Sequence, residues 1–122
     1  MKTPILLTFV LLGLLVINSC RKESGDSKET KISSAGSNNS HNMGQNCMTC
    51  HKSGGQGEGV FTIAGTVYDS LKTSTLATST IKLYTQPNGT GTLKYTIQVD
   101  GKGNFYTTEN IDFGAGLYPA AS

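Results

Sequence analysis

The residues best equipped for chemistry sit within a few positions of one another. Asn46-Cys47-Met48-Thr49-Cys50-His51-Lys52 contains two thiols in C-x-x-C spacing with an imidazole directly after the second. On a helical turn, residues three apart lie on one side, so two such thiols can add to the two vinyl groups of a single haem. The next residue then offers its imidazole to the iron. Cys47 and Cys50 are therefore the candidate thioether anchors of a haem c, and His51 is the candidate proximal iron ligand. Other chemistries stay open. A Cys47–Cys50 disulfide acting as a redox pair would want a thioredoxin-like βαβ context, and none is visible. A zinc site would have to recruit His41 or another partner, and adjacent Cys50 and His51 do not easily converge on one tetrahedral ion. The spacing can also be an accident of a loop sequence.

A haem iron has a second axial position. Met43 and His41 lie just upstream and are the candidates for it, while Met48, inside the motif, points the wrong way. Methionine opposite histidine raises the reduction potential and a second histidine lowers it. A position left open, or filled from outside, is a third alternative. The motif is similar to that of the c-type cytochromes, but those proteins wrap the haem in several helices and supply a methionine well downstream. Here no Met or His follows His51, and Ser53-Gly54-Gly55-Gln56-Gly57-Glu58-Gly59 is a poor helix continuation. A haem held there is expected to be poorly enclosed by this chain alone.

Covalent attachment needs an exported setting, and the chain start provides one. Lys2 precedes an uncharged run from Ile5 to Ile17, apolar except for Thr8. Its 13 residues suit a secretory leader over 1–19 and are short of the roughly 20 that cross a bilayer. The run ends in Leu15-Val16-Ile17-Asn18-Ser19-Cys20, which resembles the lipobox of bacterial lipoproteins, with Asn18 less usual at its place. That resemblance implies that Cys20 becomes the first mature residue and carries the lipid. Several acyl chains, at ~0.8 kcal/mol per buried methylene, anchor a protein firmly. Arg21 at the next position is not the aspartate of inner-membrane retention, which points to the outer membrane of the cell envelope. A retained signal anchor is the competing reading.

Residues 20–45 carry mixed charges and then the low-complexity stretch Ser33-Ser34-Ala35-Gly36-Ser37-Asn38-Asn39-Ser40. Ile32 is the single aliphatic residue larger than Ala before Met43, so the expectation is a flexible lipidated spacer. Residues 46–59 form the haem-attachment segment and a Gly-rich linker. Ten Lys/Arg against eight Asp/Glu in 122 residues become nine against eight once Lys2 leaves with the leader. A chain so close to neutral has no basic patch for nucleic acid.

From residue 60 the pattern changes to period two with β-branched residues, predicting a domain over 60–122. Val60 to Tyr68, Thr80-Ile81-Lys82-Leu83-Tyr84 and Leu93 to Val99 read as strands, the last with Leu93, Tyr95, Ile97 and Val99 on one face. Asp100-Gly101-Lys102-Gly103 reads as a hairpin turn with Asn104-Phe105-Tyr106-Thr107 as its return strand, and Gly116-Leu117-Tyr118 begins a last one. The order of Ile63-Ala64-Gly65-Thr66-Val67-Tyr68-Asp69, Ser79-Thr80-Ile81-Lys82-Leu83, Val99-Asp100-Gly101-Lys102-Gly103-Asn104-Phe105 and Gly116-Leu117-Tyr118 resembles carboxypeptidase regulatory-like domains. That resemblance spans 61–118. It implies a mainly β fold, a small antiparallel transthyretin-like β-sandwich, whose role is structural and which is incomplete at its C-terminal side.

Every His and Cys precedes this domain, and Asp69, Asp100, Glu109 and Asp112 read as turn and surface residues. The expectation is an electron carrier rather than a catalyst: a membrane-anchored, cytochrome-like lipoprotein exchanging electrons with a redox protein, with no small-molecule substrate. The alternative is a surface adhesion lipoprotein whose β-sandwich binds glycan or protein, with Cys47 and Cys50 as a disulfide.

Overall fold

The computed structural model describes residues 30–122. The leader, Cys20 and the start of the spacer lie outside the described residues. One 3-10 turn (Cys47–Thr49) precedes five strands: β1 (Ile63–Thr66), β2 (Thr80–Gln86), β3 (Thr90–Gln98), β4 (Asn104–Thr107) and β5 (Tyr118–Ala121). They form two antiparallel sheets, β1–β4 and β3–β2–β5. The expected mainly β fold, with two sheets around one core, is what forms. Among the described residues no helix is long and apolar enough to cross a membrane.

Alternation places the branched residues where two sheets can bury them. Ile81 and Leu83 of β2 meet Ile97 of β3 and Val99 just beyond it, and Ile63, Val67, Tyr95, Phe105 and Leu117 close over them. Each fully buried aliphatic side chain contributes roughly 1.5–3 kcal/mol. The glycine of the opening motif has a packing reason. Gly65 pairs with Phe105 across β1 and β4, and a Cβ there would lie 2.8 Å from the Phe105 ring.

Three expectations are corrected. Leu93 leaves the core face, because pairing steps from Leu83↔Tyr95 to Tyr84↔Leu93 and β3 takes up an extra residue at Lys94. The β2–β3 hairpin itself turns within the turn-rich run 86–91, at Asn88-Gly89, both at positive φ (58° and 68°), with Thr90 N–H donating to the Pro87 carbonyl, and needs no correction. The turn at 100–103 forms, but the strand after it does not return along β3. It crosses to the other sheet and pairs with β1.

The third concerns the segment assigned to a flexible spacer. Its described part is a strap docked on the domain. Ile32 bridges to Thr107, so the strap lies against β4 on the side away from β1. Ser33 N–H donates to the Tyr106 carbonyl (3.0 Å) and Thr108 N–H to the Lys31 carbonyl (2.8 Å). The Ser33 hydroxyl donates to the Gln98 carbonyl (2.6 Å) and accepts from Tyr106 N–H (3.0 Å). Further along, Gly101 N–H donates to the Ser37 carbonyl (2.7 Å) and the Lys102 ammonium to that of Ser40 (2.6 Å). Ile32 stays 44% exposed while Ser33 is 3% exposed. Hydrogen bonds hold the strap, not apolar burial, and an argument from missing aliphatic residues could not see them.

Candidate functional site

The cysteine turn builds itself locally. Asn46 caps it, its side-chain oxygen accepting from Met48 N–H at 3.1 Å. The Cys47 carbonyl then accepts from both Cys50 N–H (3.2 Å) and His51 N–H (3.0 Å). In a 3-10 turn residues three apart eclipse, so the two thiols lie on one side. Both are free, Cys47 half-buried and Cys50 exposed.

The Gly-rich stretch after the turn folds back over His51. Gly57 N–H donates to the Cys50 carbonyl (2.9 Å), Gly55 N–H to that of Lys52 (2.8 Å) and Phe61 N–H to that of His51 (3.0 Å). The His51 Nδ1 lies 2.9 Å from the Glu58 carbonyl oxygen, a contact that only an Nδ1–H can make favourable. The proton is thereby placed on Nδ1 and the lone pair left on Nε2, the arrangement common to metal-binding histidines. The ring stacks on Phe61 (3.9 Å between centres, 6° between planes), and Phe61 stacks on Tyr106 (4.8 Å, 17°). Gly57 presses against the same imidazole, where a Cβ would meet Nδ1, Cε1 and Cγ at 2.7–2.8 Å.

Cys47, Cys50, His51 and His41 all line one cleft of ≈ 830 Å³, within the range of roughly 300–1,000 Å³ usual for ligand sites. Strand β4 supplies part of its floor. Phe105 points into the core, so the alternate residues Asn104 and Tyr106 face the cleft. The strap walls another side through Lys31 and Ile32. Lys31 also forms an ion pair with Glu58 at 2.5 Å, joining the strap to the loop over His51. That hydrogen bond and the Lys31 charge hold the Glu58 carboxyl below its ordinary value of 4.5.

Met43 is placed elsewhere. It is 46% exposed and lines an adjoining recess with Thr49 and Cys50. Among the described residues no three His, Cys, Asp or Glu side chains form a ready metal cage, so a zinc centre has no preassembled ligand set. Cys20 lies outside the described residues. Phe61, Tyr106, Asn104 and Glu58 were not legible as site residues. The first two read as strand aromatics and the third as the first residue of a return strand. Glu58 contributes through its backbone carbonyl, which residue type does not reveal.

Compared with protein-family models, with curated proteins and with solved structures, the chain matches none of them.

Proposed function

We infer that the chain is a membrane-anchored, c-type cytochrome-like lipoprotein that holds one covalent haem for electron transfer. The observation that carries this reading is the pairing of two thiols on one turn with an imidazole whose Nδ1 is already committed to the Glu58 carbonyl. Cys47 and Cys50 would anchor the haem by thioether bonds, and His51 would hold the iron through Nε2. When bound, that group supplies one-electron exchange. The chain's own residues fix the imidazole between Gly57 and Phe61, and Phe61 and Tyr106 give the cleft an aromatic lining. The β-domain is the scaffold, in keeping with its resemblance to carboxypeptidase regulatory-like modules, and lipid on Cys20 would tether it to the envelope.

A second reading has its own observation. Leu93, Tyr84 and Tyr118 are cross-strand partners on the outer face of β3–β2–β5, with Leu93 and Tyr118 exposed. Such a row suits adhesion to glycan or protein. One experiment separates the two. The chain, expressed with a c-type haem maturation system, is denatured, extracted with acid-acetone and examined by absorbance. A Soret band that stays with the polypeptide, and disappears in Cys47→Ala/Cys50→Ala, supports the cytochrome. Colourless protein with both cysteines in a disulfide leaves the adhesion reading.

A further inference from the structure

We propose that His41 is the second axial ligand of the iron held by His51, an inference that rests on the haem reading above. The two imidazole centres are 6.0 Å apart, with planes tilted by 35°, in the cleft that Cys47 and Cys50 also line. A metal–imidazole bond is about 2 Å and the ring centre lies about 1 Å beyond the nitrogen, so two imidazoles on opposite sides of one ion have centres about 6 Å apart. The pair stands at the right span before any ion draws it together.

His41 is also held in place. Asn104, only 2% exposed, donates from Nδ2 to the His41 carbonyl (3.2 Å) and to the Ser40 hydroxyl (2.9 Å). Its Oδ1 accepts from the Thr66 hydroxyl at 2.6 Å, so the amide's orientation is fixed from both ends. Lys102 secures the Ser40 carbonyl from the same side. Backbone pinned in this way does not have to be ordered when the ligand bond forms, which removes the entropic cost of recruiting a loop residue.

The turn that follows sets Met43 outside the lining of this cleft. Asn42 and Gly44 take positive φ (54° and 75°), and Gln45 N–H donates to the Asn42 carbonyl at 3.1 Å. The chain reverses there, and Met43 lines an adjoining recess instead of the cleft that holds His41 and His51. Paired histidines give a lower potential than histidine with methionine. A filled second position also keeps small exogenous ligands off the iron, which suits electron transfer rather than gas binding.

The full chain, matured with haem, is compared with His41→Ala, His41→Met and Met43→Ala by absorbance, spin state, carbon monoxide binding to the ferrous form and midpoint potential. The expected wild type is low-spin and inert to carbon monoxide. His41→Ala turns high-spin, binds carbon monoxide, and recovers the low-spin spectrum when free imidazole is added. His41→Met stays low-spin at a higher potential, and Met43→Ala matches the wild type. A His41→Ala protein that keeps covalent haem with unchanged spin state and no carbon monoxide binding overturns the inference while leaving the haem reading intact, as does a Met43→Ala protein that turns high-spin. A wild type with no covalent haem overturns both.

Discussion

His51 illustrates how much of an imidazole's setting lies outside the residue itself. Its tautomer is set by the Glu58 carbonyl, one ring face is covered by Phe61, and Gly57 leaves room for the ring only because it has no Cβ. Gly57→Ala forces either the loop or the imidazole to move, since an added carbon would sit 2.7 Å from Nδ1. The expected outcome is haem still bonded to Cys47 and Cys50 but a mixed-spin iron, read in the visible spectrum of the matured protein. Glu58 gives a second test at this scale. Its carboxyl is depressed by Lys31, so the ion pair contributes fully above 4.5 and is lost as pH falls through the lowered midpoint. The pair is exposed and screened by salt, so the effect on global stability is small. The measurable outcome is local: in an NMR titration Lys31→Ala raises the Glu58 midpoint towards 4.5. The grouping of Cys47, Cys50 and His51 was legible from their spacing, and the three line one cleft. That His41 lines the cleft and Met43 does not was not legible, because it follows from a turn at positive φ.

At the scale of elements, strands were the legible part and their partners were not. Ile81, Leu83, Ile97 and Val99 announce buried faces by alternation alone, and all four are in the core. Alternation says nothing of which edge a strand joins. The turn at 100–103 has hairpin residues, yet β4 leaves β3 after it, and its pairing with β1 brings Asn104 and Tyr106 to the cleft. The strap was invisible for a different reason: its docking uses backbone groups and serine hydroxyls, which composition counts as solvent-loving. Ser33 tests that account. Its hydroxyl serves Tyr106 N–H and the Gln98 carbonyl at once, so Ser33→Ala leaves both part-buried groups short of a partner. A loss of about 1–3 kcal/mol is expected. Urea denaturation measures the total, and hydrogen exchange at Tyr106 N–H shows whether the strap has let go of β4. An unchanged midpoint with unchanged protection would mean that the strap's hydrogen bonds do not hold it.

For the whole molecule, the question is what makes two small sheets and a strap behave as one body. The junction is the segment from Val99 to Asn104. Val99 is fully buried in the core, and Asp100 accepts through Oδ1 from Lys102 N–H (2.9 Å) and Asn104 N–H (3.0 Å) as the chain passes from one sheet to the other. Asn104 then reaches the strap at Ser40 and His41. Core, crossover and site thus share one short run of chain. Gly103 makes the crossover feasible: it sits at φ +88°, and a Cβ there would lie 2.5 Å from the Thr75 Cβ. Gly103→Ala therefore adds both backbone strain and a clash. Strain of this kind costs of order 1–3 kcal/mol by itself, with the clash in addition. If the crossover joins the whole domain, the lowered transition will be the same by far-UV circular dichroism, which follows the strands, and by the NMR ring resonances of Tyr106, which report the cleft. If only the Tyr106 transition moves, the cleft unfolds independently, and the site would be a local module resting on the β-domain rather than a part of it.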